Sequence, residues 1–157
     1  MTGLIIRDSN NQNHTSLKNV IISLADIIKK YNWFLGDYEC SVYPSTKIPE
    51  TGDFVWLSGE EFVLILEKHE IQFIWGVALA YAKGIELKEI LSHPRPFADG
   101  NEAFWKPELT MQNPLAEIEI ISWDSTMLLV IAKSKELIEM FIKEYPNSLD
   151  LKEYNQT

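Results

Sequence analysis

Two spacings of hydrophobic residues along the chain predict its helices and strands. Apolar residues recur at every third or fourth position in residues 17–31, 62–69 and 137–145, as they do in amphipathic helices. A serine precedes each stretch, and Ser58 opens an S-x-x-E capping box that predicts the start of the second helix. A shorter helix is predicted for residues 85–91.

Runs of aromatic and β-branched residues predict the strands. These runs are residues 4–7, 33–43, 54–57, 71–81, 116–123 and 126–132. The last two flank Asp124-Ser125, which predicts a hairpin. Residues 71–81 are apolar on both alternating sides, as in a strand covered on both faces, so we expect this strand to be the central one.

The order of these elements predicts an α+β fold with a mainly antiparallel sheet and helices packed largely on one side. The length of 157 residues, of which 46% are hydrophobic, fits a single domain that spans residues 1–157. Residues 9–14 and 44–53 are predicted loops, and residues 146–157 a polar C-terminal tail that follows Pro146.

The long loop at residues 92–113 has two interpretations. It has no sustained hydrophobic period and contains three prolines, but it also contains three aromatic residues. Loops of this length within a compact domain are uncommon and are usually functional or disordered. The loop is therefore either an element that binds a partner or a flap that packs over an open part of the sheet.

The charge of the chain bears on its partners. It carries 14 Lys and Arg against 23 Asp and Glu, a net charge of −9. We expect no nucleic-acid binding, because affinity for phosphates comes mostly from Lys and Arg. Residues 1–52 carry five basic and five acidic groups, so the acidic excess lies in residues 53–157. Such a surface attracts a cationic protein or simply keeps the chain soluble.

The sequence also predicts a cytoplasmic location. No apolar run reaches the roughly 18 residues of a membrane span, and the N-terminus lacks the basic and apolar regions of a signal peptide, so no membrane partner is expected. Cys40 is the only cysteine, which fits a reducing compartment.

Candidate catalytic groups are few. His14, His69 and His93 have none of the spacings of a helical metal site, so we predict no metal, no cofactor and no catalytic residue. One alternative is a small enzyme that uses His93 or His69 with carboxylates such as Asp99 and Glu102 as an acid–base cluster.

Aromatic and acidic residues instead form the candidate partner-binding set. Asp99, Glu102, Phe104 and Trp105 of the long loop are the predicted centre of the interface, because aromatic residues are enriched at interface hot spots. Phe97 is a further aromatic residue of the same loop. Two further acidic pairs have members two residues apart on a predicted strand, which puts both members on one face. The pairs are Asp37 with Glu39 and Glu117 with Glu119. Each pair is either the wet face of a sheet or an acidic ridge for a basic partner.

Strand alternation also assigns the sides of residues 33–43. It puts Asp37 and Glu39 on the side of Trp33 and Leu35, and Cys40 on the opposite side.

Three stretches resemble small acidic bacterial proteins, many of which look like immunity partners of polymorphic or contact-dependent toxins. They are Trp56-Leu57-Ser58-Gly59-Glu60-Glu61, Ile71-Gln72-Phe73-Ile74-Trp75-Gly76 and the block from Trp123 to Pro146. The resemblance implies a cytoplasmic antitoxin that occludes a cognate, often basic, toxin domain. A homo-oligomeric structural or regulatory module is the alternative to this non-catalytic binding function.

Overall fold

The computed structural model describes residues 1–7 and 16–157, so the predicted loop at residues 9–14, with His14, lies outside the described residues. The described chain contains seven strands. They are β1 (Thr2–Ile6), β2 (Tyr31–Cys40), β3 (Phe54–Ser58), β4 (Phe73–Ala82), β5 (Ile118–Trp123), β6 (Met127–Ala132) and β7 (Leu149–Asp150). They form one sheet in the order β3-β2-β4-β5-β6-β1-β7, and every neighbouring pair is antiparallel.

The described residues also form six α-helices and a short 3₁₀ helix, Glu102–Trp105. The α-helices are α1 (Leu17–Ser23), α2 (Ala25–Ile28), α3 (Gly59–Lys68), α4 (Leu87–Leu91), α5 (Lys135–Glu144) and α6 (Leu151–Gln156). The predicted α+β class is therefore confirmed. None of these helices, in the part of the chain that the structure describes, is long and apolar enough to cross a bilayer.

Helices α1, α2, α3 and α5 cover one face of the sheet, which we call the helix face. The indole of Trp33 is fully buried there and donates a hydrogen bond to the carbonyl of Ile28 at 2.9 Å. The predicted capping box begins α3, because the Ser58 hydroxyl accepts from the amide of Glu61 and the Glu61 carboxylate accepts from the amide of Ser58. Gly59 follows, and a Cβ there would lie 2.1 Å from the Ile28 carbonyl oxygen.

Residues 92–113, α4 and α6 cover the opposite face, which we call the segment face. Residues 92–113 are the segment that gives it this name. Phe104 and Leu109 of the segment are buried against the sheet there, and so is Leu151 of α6. The segment is tied to α6 as well, because the side-chain amide of Asn155 donates to the carbonyls of Phe104 and Lys106 at 2.8 Å each.

Three predictions about individual elements are wrong. Residues 17–31 form two helices and not one, because Leu24 leaves helical geometry and Tyr31 pairs with Ala82 in the sheet. Residues 146–157 are not a polar tail, since they contain β7 and α6 and bury Leu151 completely. The strand expected to be central, β4, is buried on both faces, but β5 occupies the middle position.

A bulge in β2 corrects the predicted sides of that strand. The register with β4 shifts between Gly36 and Glu39, and Asp37 takes a positive φ of 48°. An extra residue reverses the alternation beyond it. Cys40 therefore packs in the helix-face core, on the side where Trp33 lies, and Asp37 turns to the segment face.

Candidate protein-binding surface

Three tryptophans meet at one end of the segment face and form what we call the tryptophan cluster: Trp75, Trp105 and Trp123. Trp75 and Trp123 lie on adjacent strands, one residue beyond the paired Cα atoms of Gly76 and Ser122. Their ring centroids are 4.9 Å apart, and those of Trp105 and Trp123 are 5.0 Å apart, both in edge-to-face geometry. All three side chains are only partly buried, so the cluster presents apolar ring surface to solvent.

Tyr154 of α6 extends the cluster on one side. Its ring centroid lies 6.1 Å from that of Trp105, and the residue is 42% exposed. The guanidinium of Arg7 lies 5.8 Å from the Tyr154 ring centroid, within cation–π range.

Carboxylates border the tryptophan cluster on the side of β2. Glu39 is exposed and lies directly opposite Trp75 in the pairing of β2 with β4. Asp37, at the bulge two residues earlier, accepts a hydrogen bond from the backbone amide of Ala98 at 2.7 Å. Glu39 therefore lies beside Trp75, and Asp37 lies against the beginning of the segment.

Beyond Asp37 the surface opens into a cleft of about 400 Å³, which we call the acidic cleft. Its charged and aromatic lining residues are Asp37, Glu50, Asp53, Arg95, Tyr38 and Phe97. Arg95 is already paired, because its guanidinium lies 3.0 Å from the Asp53 carboxylate and 5.1 Å from the Phe54 ring centroid. Phe97 is 47% exposed. The carboxylates of Asp37 and Glu50 and the rings of Tyr38 and Phe97 are thus left to receive a cationic group.

The structure brings some of the predicted binding residues to this surface and separates others. Asp37, Glu39 and Trp105 lie on it, and Asp99 and Glu102 are exposed in the segment. The pair of Glu117, just before β5, and Glu119, on β5, does not lie on it. Glu117 is half-buried; its backbone carbonyl accepts from the amide of Lys133, and its backbone amide donates to the carbonyl of Ala80, near the other end of β4.

Two of the predicted residues cannot be surface contacts in this conformation. Phe104 is 1% exposed and lies beneath the cluster, with its ring centroid 6.1 Å from that of Trp123. Glu119 is fully buried between strands. For Glu119 both interpretations, the wet face of a sheet and an acidic ridge, are therefore wrong, because the segment covers its carboxylate through Gln112.

Trp75 and Trp123 were missed as surface residues. Both stand in apolar strand sequences that predict burial, and only the register of β4 with β5 shows that they meet at a strand end. Their signal in the sequence is their size, since a tryptophan at the end of a strand is rarely covered completely.

The groups considered for catalysis are not assembled into an acid–base site. Within residues 1–7 and 16–157, no hydrogen bond or ion pair joins His93 to Asp99 or Glu102, and no group of His, Cys, Asp and Glu could hold a metal ion. His69 is the half-exposed C-cap of α3. Burial raises the pKa of the Cys40 thiol to about 12, with the charge of Glu39 as a smaller cause, so the thiol stays protonated.

Searches of protein-family models, of curated proteins and of solved structures found no match to the chain. The resemblance to immunity proteins therefore stays a prediction from the sequence.

Proposed function

We propose that this protein is a non-catalytic binding module that recognises a basic protein domain through the tryptophan cluster and the acidic cleft. The observation that carries the proposal is the position of three partly exposed tryptophans next to the carboxylates of Asp37 and Glu39 on one surface. Tryptophan is enriched among the few residues that carry most of the binding energy at protein interfaces.

The two parts of the surface have different roles in this proposal. The tryptophan cluster supplies apolar area that a partner would cover, and edge-to-face packing already holds its rings in place, so little side-chain entropy is lost on binding. The acidic cleft receives a lysine or arginine side chain of the partner between Asp37 and Glu50, beside the Phe97 ring.

The net charge of −9 supports a basic partner, because opposite charges speed the encounter of two proteins. Together with the resemblance of the sequence to immunity proteins, it makes a cognate toxin domain the partner that we propose. The protein would neutralise this domain in the cytoplasm by covering its functional surface.

The neighbouring reading frame provides the first test. We expect the neighbouring reading frame to encode a secreted protein whose last domain is basic. That domain is produced in an inactive form, and its binding to the protein is measured by calorimetry. We expect Trp105→Ala to weaken binding at least about 30-fold, as at an interface hot spot. The double variant Asp37→Asn with Glu50→Gln should also weaken binding, and its effect should be larger at low salt than at high salt. Thermal unfolding checks that each variant is folded.

A matched control on the opposite face gives the experiment its specificity. Leu64→Ala with Glu67→Gln removes one exposed apolar and one exposed acidic side chain from α3, on the helix face. This variant should bind as the original chain does. A metabolic operon around the gene, or an affinity unchanged by Trp105→Ala, would contradict the proposal.

A further inference from the structure

Glu119 is a carboxylate in the interior of the sheet. It lies on β5 between Leu79 of β4 and Ile131 of β6 and is fully buried. Both of its oxygens accept hydrogen bonds from one residue of the segment, Gln112. The backbone amide of Gln112 donates to Oε2 at 3.1 Å and its side-chain amide donates to Oε1 at 2.6 Å.

Gln112 connects this carboxylate to the wall of the acidic cleft. Its side-chain nitrogen also donates to the Phe97 carbonyl at 3.1 Å, and its side-chain oxygen accepts from the Phe97 amide at 3.0 Å. Asn101 bonds to both Phe97 and Gln112, because its side-chain amide donates to the Phe97 carbonyl and to the Gln112 side-chain oxygen. A continuous chain of hydrogen bonds thus runs from Glu119 to the backbone of Phe97, whose ring lines the cleft.

The surroundings of Glu119 offer its charge little compensation. Burial raises its pKa to about 7, although the two hydrogen bonds from Gln112 act in the opposite direction. The titratable group that faces it from β4 is Tyr81, whose pKa is raised by its own burial and, to a smaller degree, by the charge of Glu119. On β6 its neighbour is the apolar Ile131, and the segment contributes the neutral Gln112. Glu117 lies two residues earlier in the chain, just before β5.

We infer that Glu119 and Gln112 form a proton-linked latch that holds the segment on the sheet and thereby fixes the Phe97 wall of the acidic cleft. With Glu119 protonated, the closed segment covers a neutral group. With Glu119 ionised, it covers a buried charge that water would solvate better, so opening becomes easier. The latch acts on the cleft itself and does not require the partner proposed above.

The direction of the pH effect follows from linkage. In an open segment Glu119 meets water and its pKa returns toward the ordinary value of 4.5, whereas in the closed segment the pKa is about 7. Between these two values the closed form binds the proton and the open form does not. Opening should therefore increase about tenfold for each pH unit from pH 5 to pH 7 and level off above pH 7.

Amide hydrogen exchange followed by NMR tests the latch on the intact chain, without any partner. The protection of the Phe97, Ala98 and Gln112 amides is measured from pH 5 to pH 8.5 and corrected for intrinsic exchange. Protection should fall about tenfold per pH unit up to pH 7. Glu119→Gln should remove this slope, whereas Glu117→Gln, a matched change two residues earlier and just before β5, should leave it in place.

Two results would overturn the inference. One is protection of these amides that does not change with pH in the original chain, and the other is a slope that survives in Glu119→Gln. If that variant does not fold, the carboxyl carbon resonance of Glu119 in the original chain decides. This resonance must report a titration near pH 7, the pH at which the protection of the Phe97 amide stops changing. A titration near pH 4.5 would refute the latch. Because no partner is present, a failure of the proposed function does not affect this result.

Discussion

The two faces of the sheet are closed in different ways. Regular helices cover the helix face, and their own hydrogen bonds satisfy their backbones, so the core beneath them is built from apolar side chains. A largely irregular segment covers much of the segment face, and its backbone needs partners from elsewhere. Two sheet carboxylates supply them, as Asp37 accepts from the amide of Ala98 and Glu119 from that of Gln112.

The contrast between the two faces indicates where this fold can respond to its surroundings. Of the buried polar residues described, Asn101, Asn113 and Glu119 belong to the segment face, whereas Ser122 lines the helix-face core. Polar bonds between a segment and a sheet can open locally while a packed helical layer stays closed. The tryptophan cluster and the acidic cleft both lie on the segment face, so the candidate surface belongs to the more adaptable side.

The largest expected effect compares one buried phenylalanine on each face. Phe62 of α3 and Phe104 of the segment are almost fully buried. We expect Phe62→Ala to lower the free energy of unfolding by about 3–5 kcal/mol, because rigid helices leave the cavity open. Phe104→Ala should cost less, because an irregular segment can collapse into the space. Urea denaturation measures both, with the exposed Leu64→Ala as the control.

An equal or larger loss for Phe104→Ala would contradict this view of the two faces. It would mean that the segment is packed as rigidly as the helices, and that its polar bonds are not points of local opening.

The next largest effect is a pH dependence of stability that comes from Glu119 on the segment face. Because burial raises the pKa of Glu119 to about 7, the folded chain binds a proton that the unfolded chain has lost above pH 4.5. The stability of the original chain should therefore fall by about 3 kcal/mol, relative to that of Glu119→Gln, as pH rises from 4.5 to 7. Urea denaturation of both chains at several pH values measures the difference. If the difference in stability between the original chain and Glu119→Gln did not change with pH, the raised pKa of Glu119 would be refuted.

The capping box on the helix face should respond in the opposite direction. Hydrogen bonds from Lys47 and from the Ser58 amide lower the pKa of Glu61, so its contribution is present above the ordinary pKa and is lost as pH falls through the lowered one. Glu61→Gln should therefore make stability less sensitive to acid, in contrast to Glu119→Gln. The same denaturation series includes this variant.

Helix α3 of the helix face could be predicted from a local pattern, and the contacts of the segment face could not. Ser58 and the apolar spacing after it predict α3 because a capped amphipathic helix is specified within a few residues. The contacts of Asp37 and Glu119 depend on the segment. Asp37 is bonded to Ala98, which lies 61 residues further along the chain, and Glu119 is covered by Gln112. A carboxylate two residues from another on a strand looks solvated until the covering chain is known.

The candidate surface was predicted in part for the same reason. Trp105 and the pair Asp37 with Glu39 are conspicuous by composition, because they are large or charged groups in a loop and at the end of a strand. Trp75 and Trp123 complete the cluster only through strand pairing, which periodicity does not determine.

The smallest expected effect concerns the rim of the acidic cleft. Arg95 pairs with Asp53 and lies over Phe54, but the two charged side chains are 40% and 68% exposed. Arg95→Gln should therefore change the free energy of unfolding by no more than about 1 kcal/mol, because exposed ion pairs contribute little. A loss above about 2 kcal/mol, measured in urea, would show that the rim is a structural part of the segment face. A small loss would mean that the ion pair of Arg95 with Asp53 contributes little to folding. Either side chain could then leave this pair and contact a partner without opening the segment.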